Sequence, residues 1–169
     1  MRGKLQQTYK ASHELDRQSA FSGSIPLVDM PRLTSLIMSD NTSVDVDFEF
    51  TRGVYNHDAI RGQYKVGLTT QCQRCLEPMV LEIDQSFELL IDASDEDVEA
   101  FQVDTVFTED GYLNLCEVIE DELILALPLI MMHDNDGCNP YLKEHVDDAP
   151  PAQERPNPFA VLASLKDTN

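Results

Sequence analysis

A chain of 169 residues with 42% hydrophobic content is long enough for one domain with a real core. No stretch approaches the roughly 20 apolar residues that span a bilayer. The formal net charge of −19 is placed unevenly: residues 1–74 carry nine Lys and Arg against eight Asp and Glu, a net of +1, while residues 75–169 carry three against 23, a net of −20. Phosphate contacts need cations, so the C-terminal half repels nucleic acid and any RNA contact falls to the N-terminal half. An acidic surface suits basic proteins, and it equally suits plain solubility. The first residues lack the apolar core of a secretory signal, so a cytoplasmic protein is expected, whose four cysteines are thiols or metal ligands rather than disulfides.

Taken in chain order, residues 1–20 are polar and aperiodic and read as a flexible N-terminal arm or weak helix. Residues 24–27 read as extended, and Asp29 followed by Pro31 predicts a helix running to about Met38. From Ser43 the period becomes two. Val44, Val46, Phe48 and Phe50 alternate with acidic residues, the mark of a half-buried strand. A second strand is predicted over 60–68, with Ile60, Tyr64, Val66 and Leu68 on one face and Arg61, Gln63 and Lys65 on the other. A third covers 80–91, with Leu81, Ile83, Phe87, Leu89 and Ile91 in phase. Three strands on short connections argue for an antiparallel meander.

Residues 92–99 read as an acidic loop and 103–107 as a short fourth strand. Asn114 with Glu117 three residues on forms a capping-box pattern, and Pro128 stops the helix that begins there. Leu115, Val118, Ile119, Leu123 and Ala126 form its buried stripe. Glu117, Glu120 and Asp121 read as a solvated face matched to the helix dipole. An acidic, proline-bearing linker is expected over 141–156. Asn157-Pro158 then starts a short helix over 157–169 whose Phe159, Leu162 and Leu165 give it one apolar side, so it needs a docking surface. The expected fold is α+β: an antiparallel β-sheet meander with one long capped helix and short N- and C-terminal helices. Its domain covers residues 21–140.

The chemistry concentrates in Cys72-Gln73-Arg74-Cys75, between strands two and three, and in His133 and Cys138. A C-x-x-C turn with a distant nitrogen and sulfur pair outlines a tetrahedral zinc site. The same residues also read as free thiols near a turn and a loop histidine. Thioredoxin-like redox chemistry wants the first cysteine at a helix N-terminus, whereas Pro78 and the alternating run after it predict a strand. No nucleophile elbow, H-E-x-x-H or phosphate-binding glycine loop is present, and no catalytic constellation is found. Cys116 reads as a core residue. Arg61, Lys65 and Arg74 form a candidate RNA contact, or else pair with the many carboxylates.

Three segments carry a resemblance. They are Thr70-Gln71-Cys72-Gln73-Arg74-Cys75, the acidic-then-aliphatic residues Glu120 to Pro128 with His133 and Cys138 following, and Asn157-Pro158-Phe159 through Leu165. In this order they resemble the YceD family, the large ribosomal RNA subunit accumulation proteins of bacteria and plastids. The resemblance covers residues 20 to the end. It implies a non-enzymatic role in accumulating 23S rRNA, hence in assembling the large ribosomal subunit. Partners implied with the charge map are basic ribosomal proteins, 23S rRNA precursor particles, or both. Some relatives resemble cysteine-richer versions of the 133–138 segment, which favours zinc there, and this chain departs from them in carrying His133. A thiol- or zinc-dependent enzyme and a generic acidic adaptor are the rival readings.

Overall fold

Alternation of apolar and acidic residues makes β3 (Ser43–Arg52) a strand with Val44, Val46, Phe48 and Phe50 buried and Asp45, Asp47 and Glu49 turned outward. The structure, a computed structural model, describes residues 3–38, 41–52, 57–135 and 137–139. The chain divides into two units, residues 1–133 and 134–169. The linker over 141–156, and the terminal helix with Phe159, Leu162 and Leu165, lie outside the described residues.

In the first unit β3 pairs antiparallel with β2 (Ala20–Pro26) and β4 (Asp58–Gln71), and β4 with β5 (Pro78–Ile91). The meander is therefore present, one strand wider than the three predicted. Register keeps Val46, Tyr64 and Gln85 in line, and the neighbouring rank holds Asp45, Lys65 and Asp84. Gly62 sits opposite Phe48, where a Cβ would stand 2.7 Å from the Phe48 Cβ and 2.3 Å from the Asp47 carbonyl oxygen. Only glycine lets the two backbones approach this closely. Tyr9, Phe21, Phe48 and Phe50 form a ring cluster there, with Phe21 stacked on Phe48 at 5.2 Å.

The first twenty residues carry more order than their composition suggests. β1 (Thr8–Lys10) buries Tyr9 in that ring cluster, and α1 (Ala11–Arg17) follows directly. Gln18, at φ 48°, closes α1 in the left-handed region, with Ser19 N–H donating to the Glu14 carbonyl. β1 pairs antiparallel with β7 (Tyr112–Asn114) in a separate two-stranded sheet. After a 3-10 turn at Leu27–Asp29, α2 spans only Pro31–Thr34, shorter than the helix predicted to Met38.

Two further expectations need correction. Within 92–99, read as a loop, Ser94 and Asp97 form a reciprocal capping box that starts α3 (Asp95–Phe101). Its Val98 and Phe101 pack on Ala59, Leu90 and Ala93, and three acidic residues in the first turn match the dipole. Because α3 carries the chain across, β6 (Thr105–Val106) pairs parallel with β5. Conversely, Asn114 makes no side-chain cap for α4 (Leu115–Ala126). As the last residue of β7 it is held by the strand, in register with Thr8 of β1, and its side chain takes neither the Cys116 nor the Glu117 N–H.

Leu115, Ile119 and Leu123 of α4 are fully buried and share one core with the sheet and α2. Each contributes about 1.5–3 kcal/mol against exposure. Glu120, expected on the solvated face, is 3% exposed. Pro31 opens α2 after Met30, which has no side-chain oxygen for a cap, so the N–H groups of Arg32 and Leu33 need an acceptor from elsewhere. Glu120 Oε1 accepts both, at 2.7 and 3.1 Å, while its Oε2 takes the Arg32 guanidinium at 2.9 Å. One carboxylate thus caps α2 and ties it to α4.

Candidate metal centre

The turn between β4 and β5 is shaped by backbone bonds around Cys72. Its N–H donates to the Glu77 carbonyl at 2.9 Å, and Leu76 N–H donates back to the Cys72 carbonyl at 2.8 Å. To close this loop Leu76 takes φ 64°, a left-handed conformation unfavourable for a leucine, with its side chain left 65% exposed. Gln73 N–H donates to the Met131 carbonyl at 2.8 Å, binding the turn to the chain after α4. That bond sets His133 beside the thiols.

Cys72 is buried and Cys75 and His133 are half-buried. One ligand atom from each lies within 4.8 Å of the others, and Cys75 Sγ is 3.4 Å from His133 Nδ1. A zinc tetrahedron with Zn–S of about 2.3 Å and Zn–N of about 2.0–2.1 Å has an S···N edge of about 3.6 Å. The observed spacing therefore fits such an ion. Burial pushes the Cys72 thiol up. Backbone N–H groups of Cys75, His133 and Arg74 and the Cys75 side chain pull it down, and the net is a fall to about 5. That is the electrostatics a metal-binding thiolate needs, and soft sulfur with imidazole is a zinc donor set. Cys138, the fourth predicted donor, lies in the second unit, five residues beyond His133 and half-buried; its N–H donates to the Asn135 carbonyl at 3.1 Å.

The turn opens onto a strand, so Cys72 has no helix N-terminus of the kind a thioredoxin-like site uses. Cys116 is buried in α4, with its Sγ–H donating to the Asp29 carbonyl at 3.1 Å. His13 and His57 stand beside Glu14 and Asp97 at 3.0 and 3.6 Å.

Arg61 and Lys65 share the outer face of β4, as the alternation requires, and each meets a carboxylate on a flanking strand. Arg61 Nε donates to Glu49 at 2.6 Å and Lys65 Nζ to Asp84 at 3.0 Å. Arg74 in the turn stands 3.5 Å from the Met132 sulfur. Ten residues of strand, about 33 Å, separate Arg61 from Gln71 beside that turn, so the three cations do not form one patch.

Sequence reasoning missed Glu120 and Arg32 as a pair. The signal was present in Pro31 after an apolar residue, a helix start with no local cap. No helix among the described residues is long and apolar enough to cross a membrane.

These features define a small α+β protein: a curled, mostly antiparallel sheet, α4 packed on its inner face, and a thiol-imidazole knuckle at one hairpin. The family described as large ribosomal RNA subunit accumulation protein YceD matches residues 60–166, and the chain belongs to it. The large ribosomal RNA subunit accumulation protein YceD of Haemophilus influenzae is 30% identical over 169 aligned residues, covering 96% of this chain and 97% of that protein. No solved structure matches.

Proposed function

We propose that this chain is a cytoplasmic, non-enzymatic factor for accumulation of 23S rRNA and assembly of the large ribosomal subunit. The observation that carries the reading is the end-to-end similarity to a protein named for large ribosomal RNA subunit accumulation. It acts through basic ribosomal proteins, precursor rRNA, or both. The charge map favours protein contacts, because 23 carboxylates in residues 75–169 repel phosphate and attract lysine and arginine. RNA contact through Arg61, Lys65 and Arg74 would first displace the Glu49 and Asp84 partners.

Cys72, Cys75, His133 and Cys138 serve as ligands of one structural zinc. Five residues from His133 are ample chain for Cys138 to reach an ion held by the other three. When bound, zinc would pin the β4–β5 turn to the segment after α4. It would act on shape rather than on a reaction. The test of the assembly role is sucrose-gradient sedimentation of ribosomal particles from cells depleted of the protein. A deficit of large subunits with small subunits in excess is the expected profile. Balanced subunits in depleted, slow-growing cells would refute the role.

A further inference from the structure

A groove of about 940 Å3 lies between α4 and the chain running from β6 to β7, wholly within the first unit. Three large apolar side chains in its lining face water: Phe107 is 67% exposed, Leu125 77% and Tyr112 48%. The same groove is lined by six carboxylates, from Asp104, Glu109, Asp110, Glu117, Asp121 and Glu122. Among the described residues its one cation is Arg32, already engaged by Glu120 and Asp121 at 2.9 and 2.6 Å. Among the described residues, the other five carboxylates have no cationic partner. Exposed apolar surface ringed by polar groups marks a contact site. Burial, Asp104 and Asp121 together hold the Glu122 carboxyl above its ordinary range, a repulsion that an incoming cation relieves.

We propose that this groove binds a basic, partly apolar polypeptide segment of another protein. Its lysine or arginine side chains meet the carboxylates, while an aliphatic or aromatic side chain settles on Phe107 and Leu125. Charge decides the occupant. The carboxylates repel the phosphates of a nucleic acid, and a second copy of a chain with net charge −19 brings the wrong sign. Tyr112 and Phe107 supply the aromatic area that interfaces favour, and the rim charges steer approach and set specificity. The inference deepens the assembly-factor reading and rests on it only for the partner's class, a basic ribosomal protein.

The probe is a fluorescent amphipathic peptide with leucine and lysine at helical spacing, titrated with the full chain. A lysine–serine peptide of equal charge and a single-stranded RNA oligonucleotide are the comparisons. The leucine-bearing peptide binds tightest and weakens with added salt. Phe107→Ser and Leu125→Ser each weaken it about tenfold, as loss of a buried anchor does. Melting temperatures stay unchanged because both side chains are exposed. Amide shifts on titration fall within residues 104–125. Undiminished binding by both serine variants would overturn the proposal, as would shifts centred on Asp45 and Asp84, or tighter binding of the RNA. In depleted cells the double variant fails to restore 23S rRNA that the wild-type chain restores. Full restoration by the double variant would sink the groove and leave the assembly role standing. Unchanged 23S rRNA on depletion would sink the assembly role, with the peptide titration still deciding the groove.

Discussion

Replacing Glu120 by alanine removes the carboxylate that caps α2, and the structure sets the size of the effect. Two backbone N–H groups, of Arg32 and Leu33, lose an ionised acceptor, and hydrogen bonds of that kind contribute about 1.5–3 kcal/mol. The Arg32 guanidinium also loses its bonds to Oε2, but it is half exposed and keeps Asp121 at 2.6 Å, so that part is under about 1 kcal/mol. Leu33 is fully buried, leaving its N–H without water as a substitute, whereas Arg32 N–H is partly reachable. The sum expected for Glu120→Ala is about 2–4 kcal/mol of unfolding free energy. Glu120→Gln keeps one oxygen for the two N–H groups and loses the charge, for about 1–2 kcal/mol. Urea denaturation followed by circular dichroism measures both, with an unchanged slope expected. A loss below about 0.5 kcal/mol for Glu120→Ala, the range of ordinary surface substitutions, would refute the cap.

Leu76→Gly relieves a left-handed leucine whose side chain is mostly in water, and a gain of about 0.5–1 kcal/mol in urea unfolding is expected; a loss would show that the side chain is held by contact. Gly62→Ala drives a Cβ into the Asp47 carbonyl, so chemical denaturation should show more than about 2 kcal/mol of destabilisation. A neutral result would mean that the sheet yields there. The metal-free protein should show a pH dependence that Cys72→Ser removes. A thiol whose folded value, about 5, lies below its unfolded one, about 8.5, stabilises fully above the unfolded value and loses that contribution as pH falls toward 5. Identical urea midpoints against pH for the two proteins would exclude that thiolate. Titration with cobalt(II) should give one tetrahedral, sulfur-to-metal absorbing site per chain, weakened by Cys72→Ser and Cys138→Ser alike. Absorption unaffected by Cys138→Ser would remove that residue from the ligand set.

What the sequence revealed, and what it hid, follows from the range of the interactions. β3 was legible because Val44 to Phe50 alternate with carboxylates and one face meets the core. The turn at Cys72 and Cys75 was legible because two thiols and a following Pro78 constrain a few residues. α3 was not, because the acidic stretch that looks like a solvated loop also supplies the first turn of a helix, and Ser94 bonds to aspartate rather than the usual glutamate or glutamine. The parallel pairing of β6 and the pairing of β1 with β7 depend on partners 15 to 106 residues away, which no local pattern records. Asn114 failed as a cap for the same reason: a tertiary strand pairing took the position first. At the candidate metal centre the donors were readable singly, while the gathering of Cys72, Cys75 and His133 depended on Gln73 reaching Met131. Arg61 and Lys65 looked like a basic patch until register placed Glu49 and Asp84 beside them.

A role in accumulating the large subunit's RNA makes ribosomal RNA itself the readout. The most direct test is the molar ratio of 23S to 16S rRNA in cells depleted of the protein and in the same cells supplied with it again. A selective fall in 23S that the wild-type chain reverses is expected. An unchanged ratio in depleted cells whose growth is impaired would contradict it.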